Sequence, residues 1–366
     1  MTVPNTGEFA HEQVAVRTGR RSGLPVIVAV HSTALGPALG GCRLWQYPDW
    51  RDGLADALRL SAGMTVKNAM AGLPYGGGKT VLVAPAELDA AGRRALLLDA
   101  GDAIEALGGQ YVTGPDAGTG PADMAVIGER TAHVTCRPRE QGGSGGAPSA
   151  ATAAGVLAAL RAVCREALGA TGSAGGPDFG GLSVAVCGLG HVGTPLVREL
   201  AAAGAELVVA DVEPARKALA DEVGARWAAP ADCLTAEVDV LVPAALGGVL
   251  TAGLVPRLRC RAVVGPANNQ LATAEVAGLL HRRGIVWVPD EVVSAGGVVY
   301  AVAVERDHAS PAEAGARVAA IGDRVAALLA TAARTGRAPA EVARDEVAAR
   351  LAAATPAGAE ILASCG

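Results

Sequence analysis

Two lysines lie twelve positions apart, on either side of a glycine-rich segment, in the sequence MTVKNAMAGLPYGGGKTVLV. Lys67 continues a helical pattern set by Leu60 and Met64, so it lies on the stripe of the helix that is otherwise apolar. Lys79 opens a β-branched and aliphatic run, which is typical of a buried strand. Two ammonium groups brought to one desolvated place repel each other, and burial disfavours their charge, so one of them could act as a base. The spacing also fits a plainer interpretation, in which Lys67 ends an apolar stripe and reaches solvent.

The segment GLPYGGGKT is only superficially like a phosphate-binding P-loop. That motif requires a glycine where this chain has Leu73. It also follows a strand and opens a helix, which is the reverse of the order here. Gly76, Gly77 and Gly78 are instead expected to form a sharp turn and to bring the backbone close to another group.

Composition and charge narrow the possible function classes. A chain of 366 residues can hold two domains, each with its own core. It is 51% apolar with 3% aromatic residues and 49 glycines, which suits an α/β enzyme with many tight turns. The net charge of -5 gives no basic surface, so nucleic acid is not expected as a partner. No unbroken apolar run of about 18 residues is evident, so no membrane span is expected.

The N-terminal segment and the cysteines indicate the cellular compartment of the protein. The first residues lack the basic-then-apolar layout of a signal peptide. The seven cysteines are scattered, with no CxxC motif and no Cys/His cluster at metal spacing. We therefore expect a cytoplasmic protein with reduced thiols and no metal site.

The chain alternates predicted strands and helices, with one sharp change of composition. Residues 24–31 are predicted as a strand, and residues 50–71 and 88–107 as helices. The segment QGGSGGAPS at 141–149 is interpreted as the hinge between two domains, and the loose stretch at 169–181 as a surface loop.

Two glycine-rich segments of the first half could belong to a site. Gly40 and Gly41 mark either a close backbone approach or an ordinary turn. Asp116 lies in the loop of YVTGPDAGT, where an acid is most often a turn former or a cap. A catalytic role for Asp116 requires that it meet the lysines.

The second half carries a dinucleotide-binding fingerprint. The strand LSVAVC runs into the loop GLGHVG, a helix and a second strand follow, and that strand ends at Asp211, 18 residues after the third glycine. In this pattern a pyrophosphate rests on the amides of a helix N-terminus, and the acid accepts from ribose hydroxyls. A carboxylate at 211 would repel a 2′-phosphate, so NAD is favoured over NADP. The residues of the fingerprint loop are Gly188, Leu189, Gly190, His191, Val192 and Gly193.

Three more predicted strands, at 238–244, 261–267 and 284–289, continue a parallel sheet. The loops after them, which begin near Ala245 and Asn268, should face the cofactor because they lie at the carboxyl ends of the strands. A cofactor or substrate contact by Asn268 and a simple turn role fit the sequence equally.

The chain resembles the NAD-dependent dehydrogenases of glutamate, leucine, phenylalanine and valine over nearly its whole length. The matching segments, in order, are ALGGCRLW, MTVKNA…GGGKTVL, YVTGPDAGT, GLGHVG, VPAALGGVL, GPANNQLA and VPDEVVSAGG. The resemblance implies an α/β protein with an N-terminal substrate-binding and oligomerisation domain, a Rossmann domain and a deep cleft between them. The expected domains are 1–145 for substrate, 146–330 for NAD, and 331–366 for helices that pack back toward the first domain.

The resemblance also implies roles. Lys67 would bind the substrate α-carboxylate, helped by Gly40 and Gly41. Lys79 would be the base that activates water, and Asp116 would carry protons to and from the amino group. The implied reaction is the oxidative deamination of an L-amino acid by a homo-oligomer, with NAD taking the hydride. The substrate-binding residues expected are Lys67, Gly40, Gly41, Met64, Leu39, Gly114, Asn268, Ser294, Val298 and Ala301. The cofactor-binding residues expected are Gly188, Leu189, Gly190, His191, Val192, Gly193, Asp211, Ala245 and Asn268.

Departures from the family pattern bear on the substrate. Ser294 stands where relatives have an asparagine that helps to hold the α-carboxylate. Leu39 and Ala301 replace the lysine and serine of glutamate-specific relatives, so glutamate is not expected. Because Gly114 and Ala301 are small, a bulky, phenylalanine-type substrate is favoured, with leucine or valine as the alternative. An alternative of another class is an NAD-binding regulator without catalytic activity.

Overall fold

The structure, a computed structural model, describes residues 10–169 and 179–354, and it divides into two compact units. The first unit contains the described residues up to Gly146 together with Val304–His308 and the residues from Asp345 onward. The second unit contains the described parts of Ala147–Ala303 and Ala309–Arg344. Most of the surface loop predicted at 169–181 lies outside the described residues. The sequence-based domain limits stay a prediction.

The first unit is built on a five-stranded sheet in the order β1-β2-β4-β3-β5. β1 and β4 run antiparallel to β2, and β3 runs parallel to both β4 and β5. The strands are β1 (Gln13–Thr18), β2 (Pro25–Ser32), β3 (Ala38–Gln46), β4 (Gly76–Ala84) and β5 (Tyr111–Pro115). Its helices are α1 (Trp50–Met70), α2 (Ala90–Glu105) and α3 (Pro121–Ile127).

The alternation of side chains along the strands gives this sheet two buried faces. Ile27 and Val81 pack in a small cluster with Ala57 of α1. The neighbouring Val26 and Leu82 pack in a larger cluster with residues of α2. Both faces of the central strands are therefore covered, and a polar side chain in these strands needs a partner within the unit.

The prediction that Gly76, Gly77 and Gly78 form a sharp turn is wrong, because all three lie in β4. A Cβ on Gly77 would lie 2.1 Å from the Thr65 nitrogen of α1, and one on Gly78 would lie 2.4 Å from the Tyr111 ring. The expected close approach is present, but it occurs within the sheet. These glycines let α1 and the neighbouring chain segments press onto the strand that carries Lys79.

The second unit has a six-stranded parallel sheet in the order β11-β10-β9-β6-β7-β8. Counted from β6, this is the 3-2-1-4-5-6 order of a Rossmann fold. The strands are β6 (Ser183–Cys187), β7 (Glu206–Ala210), β8 (Arg226–Trp227), β9 (Val240–Pro243), β10 (Ala262–Val263) and β11 (Val286–Trp287). The first helices after the hinge are α4 (Ala147–Glu166), α5 (Gly193–Ala202), α6 (Lys217–Val223), α7 (Pro230–Leu234) and α8 (Glu275–Arg282). The remaining helices are α9 (Asp290–Val293), α10 (Gly296–Glu305), α11 (Pro311–Ala319), α12 (Ile321–Thr335) and α13 (Pro339–Ala354).

Helix α4 corrects one expectation from the sequence. Within the described residues, it is long and apolar enough to cross a membrane by length and composition alone. Of its most apolar window, 61% is buried inside the protein, as in a helix of a protein core. The sequence showed no unbroken apolar run here because Thr152 and Arg161 interrupt the helix and Arg165 and Glu166 end it.

Candidate functional site

A buried lysine and an aspartate form the centre of the first unit's site. Lys79 lies in β4 and is 4% exposed, and Asp116 directly follows β5. The Lys79 Nζ atom lies 2.8 Å from Asp116 Oδ2. The side chain of Asp116 is 21% exposed, so the pair can be reached from outside the core. The condition set for a catalytic interpretation of Asp116, that it meet the lysines, is therefore satisfied for Lys79.

The glycine pair of β3 makes room for these two side chains. A Cβ on Gly41 would lie 2.7 Å from Asp116 Cβ and 3.1 Å from Lys79 Nζ. A Cβ on Gly40 would lie 1.7 Å from the carbonyl oxygen of Gly78. Of the two interpretations left open by the sequence, close approach within a strand is the one observed, and neither glycine lies in a turn.

Arg43 belongs to this site, although the sequence analysis did not single it out. It lies two residues after Gly41 in β3, so its side chain leaves the same face of the strand. Its Nε atom donates to Asp116 Oδ2 at 2.8 Å. Burial alone would raise the pKa of Asp116, but the charges and hydrogen bonds of Lys79 and Arg43 outweigh burial and hold the pKa well below its usual range. Asp116 is therefore a carboxylate at any working pH.

Helix α1 borders the site with Met64 and Lys67. The Met64 side chain lies 3.4 Å from where a Cβ of Gly40 would be. Lys67 follows one turn later on the same face and is partly buried. Asn68, which the sequence analysis also missed, donates to the carbonyl oxygens of Leu39 and Gly76 at 3.1 and 2.6 Å. This amide ties α1 to β3 and β4 immediately beside the site.

The structure gives Gly114 a different reason for being small. Gly114 pairs with Gly41 across β3 and β5. A Cβ on Gly114 would lie 3.0 Å from Thr135 Oγ1, which is buried. The absence of a side chain at this position is therefore accounted for by packing against Thr135. Leu39, the other expected specificity residue of this unit, is 4% exposed.

The fingerprint loop of the second unit has the close contacts that its glycines predict. Gly188 has a φ of 116°, and a Cβ on Gly193 would lie 2.0 Å from the Gly188 carbonyl oxygen, so α5 packs directly against the end of β6. A Cβ on Gly190 would point into open space, where a phosphate could approach the backbone. Leu189 is buried, whereas His191 is exposed and Val192 is the residue before α5.

Asp211 lies directly after β7, beside this loop. Its Oδ2 atom accepts from the Leu189 amide at 2.6 Å, and its Oδ1 atom accepts from the Glu213 amide at 2.9 Å. The carboxylate thus fixes the loop and is itself held in one orientation. Each oxygen keeps a lone pair that a ribose hydroxyl could use.

The loops after β9 and β10 are fixed by a group that the sequence analysis overlooked. Ala245 and Asn268 are both exposed. The buried Asp290 accepts from the amides of Asn269 and Gln270 at 2.7 and 3.4 Å. This carboxylate holds the loop that presents Asn268, from a position about 20 residues further along the chain.

The three remaining predicted residues lie at and after α9. Ser294 Oγ donates to the carbonyl oxygen of Asp290 at 2.6 Å, so its proton is used within the helix turn. Val298 is partly buried in α10, and Ala301 is 4% exposed. The three-residue spacing places Val298 and Ala301 on one face of α10, as predicted.

The second unit has a Rossmann sheet with a complete fingerprint loop, and the first unit carries a buried lysine–aspartate pair. These features are typical of a pyridine-nucleotide-dependent dehydrogenase. Two family models match the chain. "Glu/Leu/Phe/Val dehydrogenase, dimerisation domain" matches residues 8–133, and "Glutamate/Leucine/Phenylalanine/Valine dehydrogenase" matches residues 209–310.

Individual relatives agree with these matches. A leucine dehydrogenase of Geobacillus stearothermophilus is 41% identical over 292 residues, which cover 80% of this chain and 77% of the relative. A valine dehydrogenase of Streptomyces coelicolor is 40% identical over 362 residues, which cover 97% and 96%. The crystal structure of L-tryptophan dehydrogenase from Nostoc punctiforme superimposes with a TM-score of 0.78 at 31% identity, covering 94% of this chain and 97% of that one.

The chain therefore belongs to the Glu/Leu/Phe/Val dehydrogenase family and is an amino acid dehydrogenase that uses a pyridine nucleotide. The resemblance inferred from the sequence is confirmed. The dimerisation domain supports a homo-oligomer that acts on a small molecule. The leucine and valine dehydrogenases among the relatives do not support the expected preference for phenylalanine, and the leucine/valine alternative fits them better.

Proposed function

We propose that this protein catalyses the reversible, NAD-dependent oxidative deamination of a branched-chain L-amino acid, leucine or valine, to its 2-oxo acid and ammonia. The observation that carries the proposal is the buried Lys79 beside the Asp116 carboxylate, with Nζ and Oδ2 2.8 Å apart. Leucine and valine dehydrogenases at 41% and 40% identity support the branched-chain substrate class.

Lys79 and Asp116 divide the proton transfers. Asp116 is held as a carboxylate, so it can accept a hydrogen bond from the substrate amino group, the contact through which it would carry protons to and from that group. Lys79, once its proton has left, is the base that activates water for attack on the imine of the substrate. Both contacts to Asp116 described above are to Oδ2, so Oδ1 is the oxygen that can face the substrate amine.

Lys67 and the glycine pair, Gly40 and Gly41, are assigned to binding the substrate α-carboxylate. Lys67 supplies the positive charge from α1, and the side-chain-free backbone at Gly40 and Gly41 lets the substrate approach Lys79 closely. Ser294 is a weak donor for this carboxylate, because its hydroxyl already donates to the Asp290 carbonyl. We therefore assign the α-carboxylate mainly to Lys67.

The second unit fits NAD. When bound, NAD supplies the acceptor for the hydride from the substrate α-carbon. Gly188, Gly190 and Gly193 give the tight turn, the open backbone and the close helix contact that a pyrophosphate site requires. Asp211 would hold the ribose hydroxyls and repel a 2′-phosphate, which favours NAD over NADP.

The experiment is a substrate screen with the full-length protein. NADH formation is measured at alkaline pH with NAD and, separately, L-leucine, L-valine, L-phenylalanine, L-tryptophan and L-glutamate. We expect the highest kcat/KM with leucine or valine and no turnover of glutamate. In the reverse direction, the matching 2-oxo acid with ammonium should consume NADH. A kcat/KM for phenylalanine above those for leucine and valine would overturn the substrate assignment.

A further inference from the structure

The turn that carries Asp116 is fastened to β3 by a threonine hydroxyl. Residues 116–119, called here the Asp116 turn, close with a backbone hydrogen bond of 3.0 Å from the Thr119 amide to the Asp116 carbonyl. The Thr119 Oγ1 atom accepts from the Asp116 amide at 3.0 Å and donates to the carbonyl oxygen of Cys42 at 2.7 Å. Its contact with the Asp116 carbonyl oxygen is longer, at 3.2 Å. This one hydroxyl therefore joins the backbone of Asp116 to the backbone of the neighbouring strand.

A second bond, in which the Leu44 amide donates to the Ala117 carbonyl at 3.0 Å, fastens the same turn to β3. Gly118 has a φ of 80°, and a Cβ there would lie 2.0 Å from the Leu44 carbonyl oxygen. The Asp116 turn therefore lies directly against the strand, at a position that only a glycine fits. Because the bonds to β3 are made one residue before and one residue after Arg43, they hold the turn where the Arg43 side chain meets Asp116.

The carboxylate of Asp116 needs this backbone support because its side-chain contacts with Lys79 and Arg43 fix only one of its oxygens. Lys79 Nζ and Arg43 Nε both lie 2.8 Å from Oδ2. With Oδ2 held, the direction of Oδ1 depends on where the backbone places the Asp116 Cβ atom. Oδ1 is the oxygen that the proposed function gives to the substrate amine, so the backbone of the Asp116 turn sets the geometry of that contact.

We propose that Thr119 is a positioning residue, whose hydroxyl sets the direction in which Asp116 presents Oδ1 to the substrate amino group. The inference rests on the proposed function, because Thr119 acts through a group that is assigned there to proton transfer. Without the hydroxyl, the Asp116 amide and the Cys42 carbonyl lose their common partner. The Asp116 turn is then free to move away from β3, and Oδ1 moves with it.

The test separates the hydroxyl of Thr119 from its methyl group. Thr119→Val keeps the shape of the side chain and removes the hydroxyl, whereas Thr119→Ser keeps the hydroxyl and removes the methyl. We expect Thr119→Val to lower kcat by about 10- to 100-fold, because a misplacement of about 1 Å can cost about 10²-fold in rate. The KM for NAD should stay unchanged, because the residues assigned to NAD lie in the second unit. Thr119→Ser should keep a near-wild-type kcat.

Two comparisons distinguish positioning from a loss of stability. Thr131→Val is the matched control, because the buried Thr131 hydroxyl also accepts from a backbone amide of the first unit, that of His133 at 3.1 Å. This variant removes the same kind of bond outside the Asp116 turn and should leave kcat unchanged. The second comparison introduces Thr119→Val into the Asp116→Asn variant. There it should cost no more than about twofold in the residual kcat, because residues that act as a unit are not additive.

Three kinetic results would overturn the inference. They are a near-wild-type kcat in folded Thr119→Val, an equal loss of kcat in Thr119→Ser, and an undiminished effect of Thr119→Val in the Asp116→Asn variant. If Thr119→Val does not fold, Thr119→Ala is measured in its place with the same expectations.

Amide hydrogen exchange tests the same contact without turnover. The peptide that contains Asp116 should exchange faster in Thr119→Val than in the wild type and in Thr119→Ser, and unchanged exchange in the folded valine variant would contradict the inference. Wild-type protein that turns over none of the amino acids would contradict the proposed function instead. The exchange measurement then decides by itself whether Thr119 holds the Asp116 turn.

Discussion

Replacing Gly41 with alanine tests the site geometry without removing any functional group. The added Cβ would lie 2.7 Å from Asp116 Cβ and 3.1 Å from both Lys79 Nζ and the Pro115 carbonyl oxygen. Pro115 is strand backbone and cannot yield easily, so the displacement falls mainly on Asp116. Its Cβ must move by about 0.7 Å to recover an ordinary contact.

A displacement of Asp116 by this distance is large enough to slow the reaction. The bonds from Lys79 and Arg43 to Asp116 are both 2.8 Å long and converge on one oxygen, so they cannot both be kept. A misplacement of about 1 Å can cost about 10²-fold in rate. We expect Gly41→Ala to lower kcat by about that factor, while NADH affinity, which depends on the Gly188–Gly193 loop, stays unchanged.

The assay compares initial rates of NADH formation, NADH binding by fluorescence and thermal unfolding. Gly63→Ala is the control, because Gly63 lies within α1 and a Cβ there would meet open space. Alanine is favoured over glycine inside a helix, so this variant should gain about 0.5–1 kcal/mol of stability and keep its activity. If Gly41→Ala folds and retains near-normal kcat, the placement of Lys79 and Asp116 does not limit the reaction, and the reasoning is refuted.

Three further predictions follow from the described contacts. Lys79→Ala should lose about 10²–10⁴-fold in kcat with NADH binding intact, and near-normal turnover would remove Lys79 from the mechanism. Asp211→Ala should narrow the difference in kcat/KM between NAD and NADP, whereas an equal or higher kcat/KM with NADP in the wild type would contradict the role of Asp211. Burial, together with repulsion by His11, lowers the pKa of His31 to about 4. Because the unfolded chain binds this proton first, the free energy of unfolding should fall by up to about 3 kcal/mol as the pH drops from about 6.5 to 4. His31→Asn should flatten that decline in a series of thermal unfolding curves, and a wild-type-like slope in the variant would contradict the assignment.

Patterns among residues that are close together in the sequence predicted the fold well. The strand expected at 24–31 is β2 (Pro25–Ser32), and the helix expected at 50–71 is α1 (Trp50–Met70). The Rossmann loop was predicted because its glycines and Asp211 are required at fixed spacings along the chain. Strands β10 and β11 have two residues each, shorter than predicted, because an apolar run does not reveal where ladder pairing stops.

Contacts between segments that are far apart in the sequence were not predicted. Three consecutive glycines usually indicate a turn, and only the approach of Thr65 and Tyr111 shows why they form a strand here. Arg43 reaches Asp116, 73 positions away, only because β3 pairs with β5. Asp290 likewise holds the Asn269 loop through a contact that no local pattern announces. In each case the missing information was the register between strands or loops.

The expected preference for a phenylalanine-type substrate loses its structural support for a related reason. The small volume of Gly114 was interpreted as space for the substrate, although volume alone does not say where a side chain would point. In the structure the missing Cβ of Gly114 would point at Thr135 Oγ1, 3.0 Å away, so the glycine is explained by packing within the first unit. Ala301 is also buried, at 4% exposure, so its small side chain contributes little accessible wall. Without these two positions, residue volumes no longer favour phenylalanine over leucine or valine. A substrate pocket should therefore be inferred from the directions of Cα–Cβ bonds before the sizes of side chains are compared.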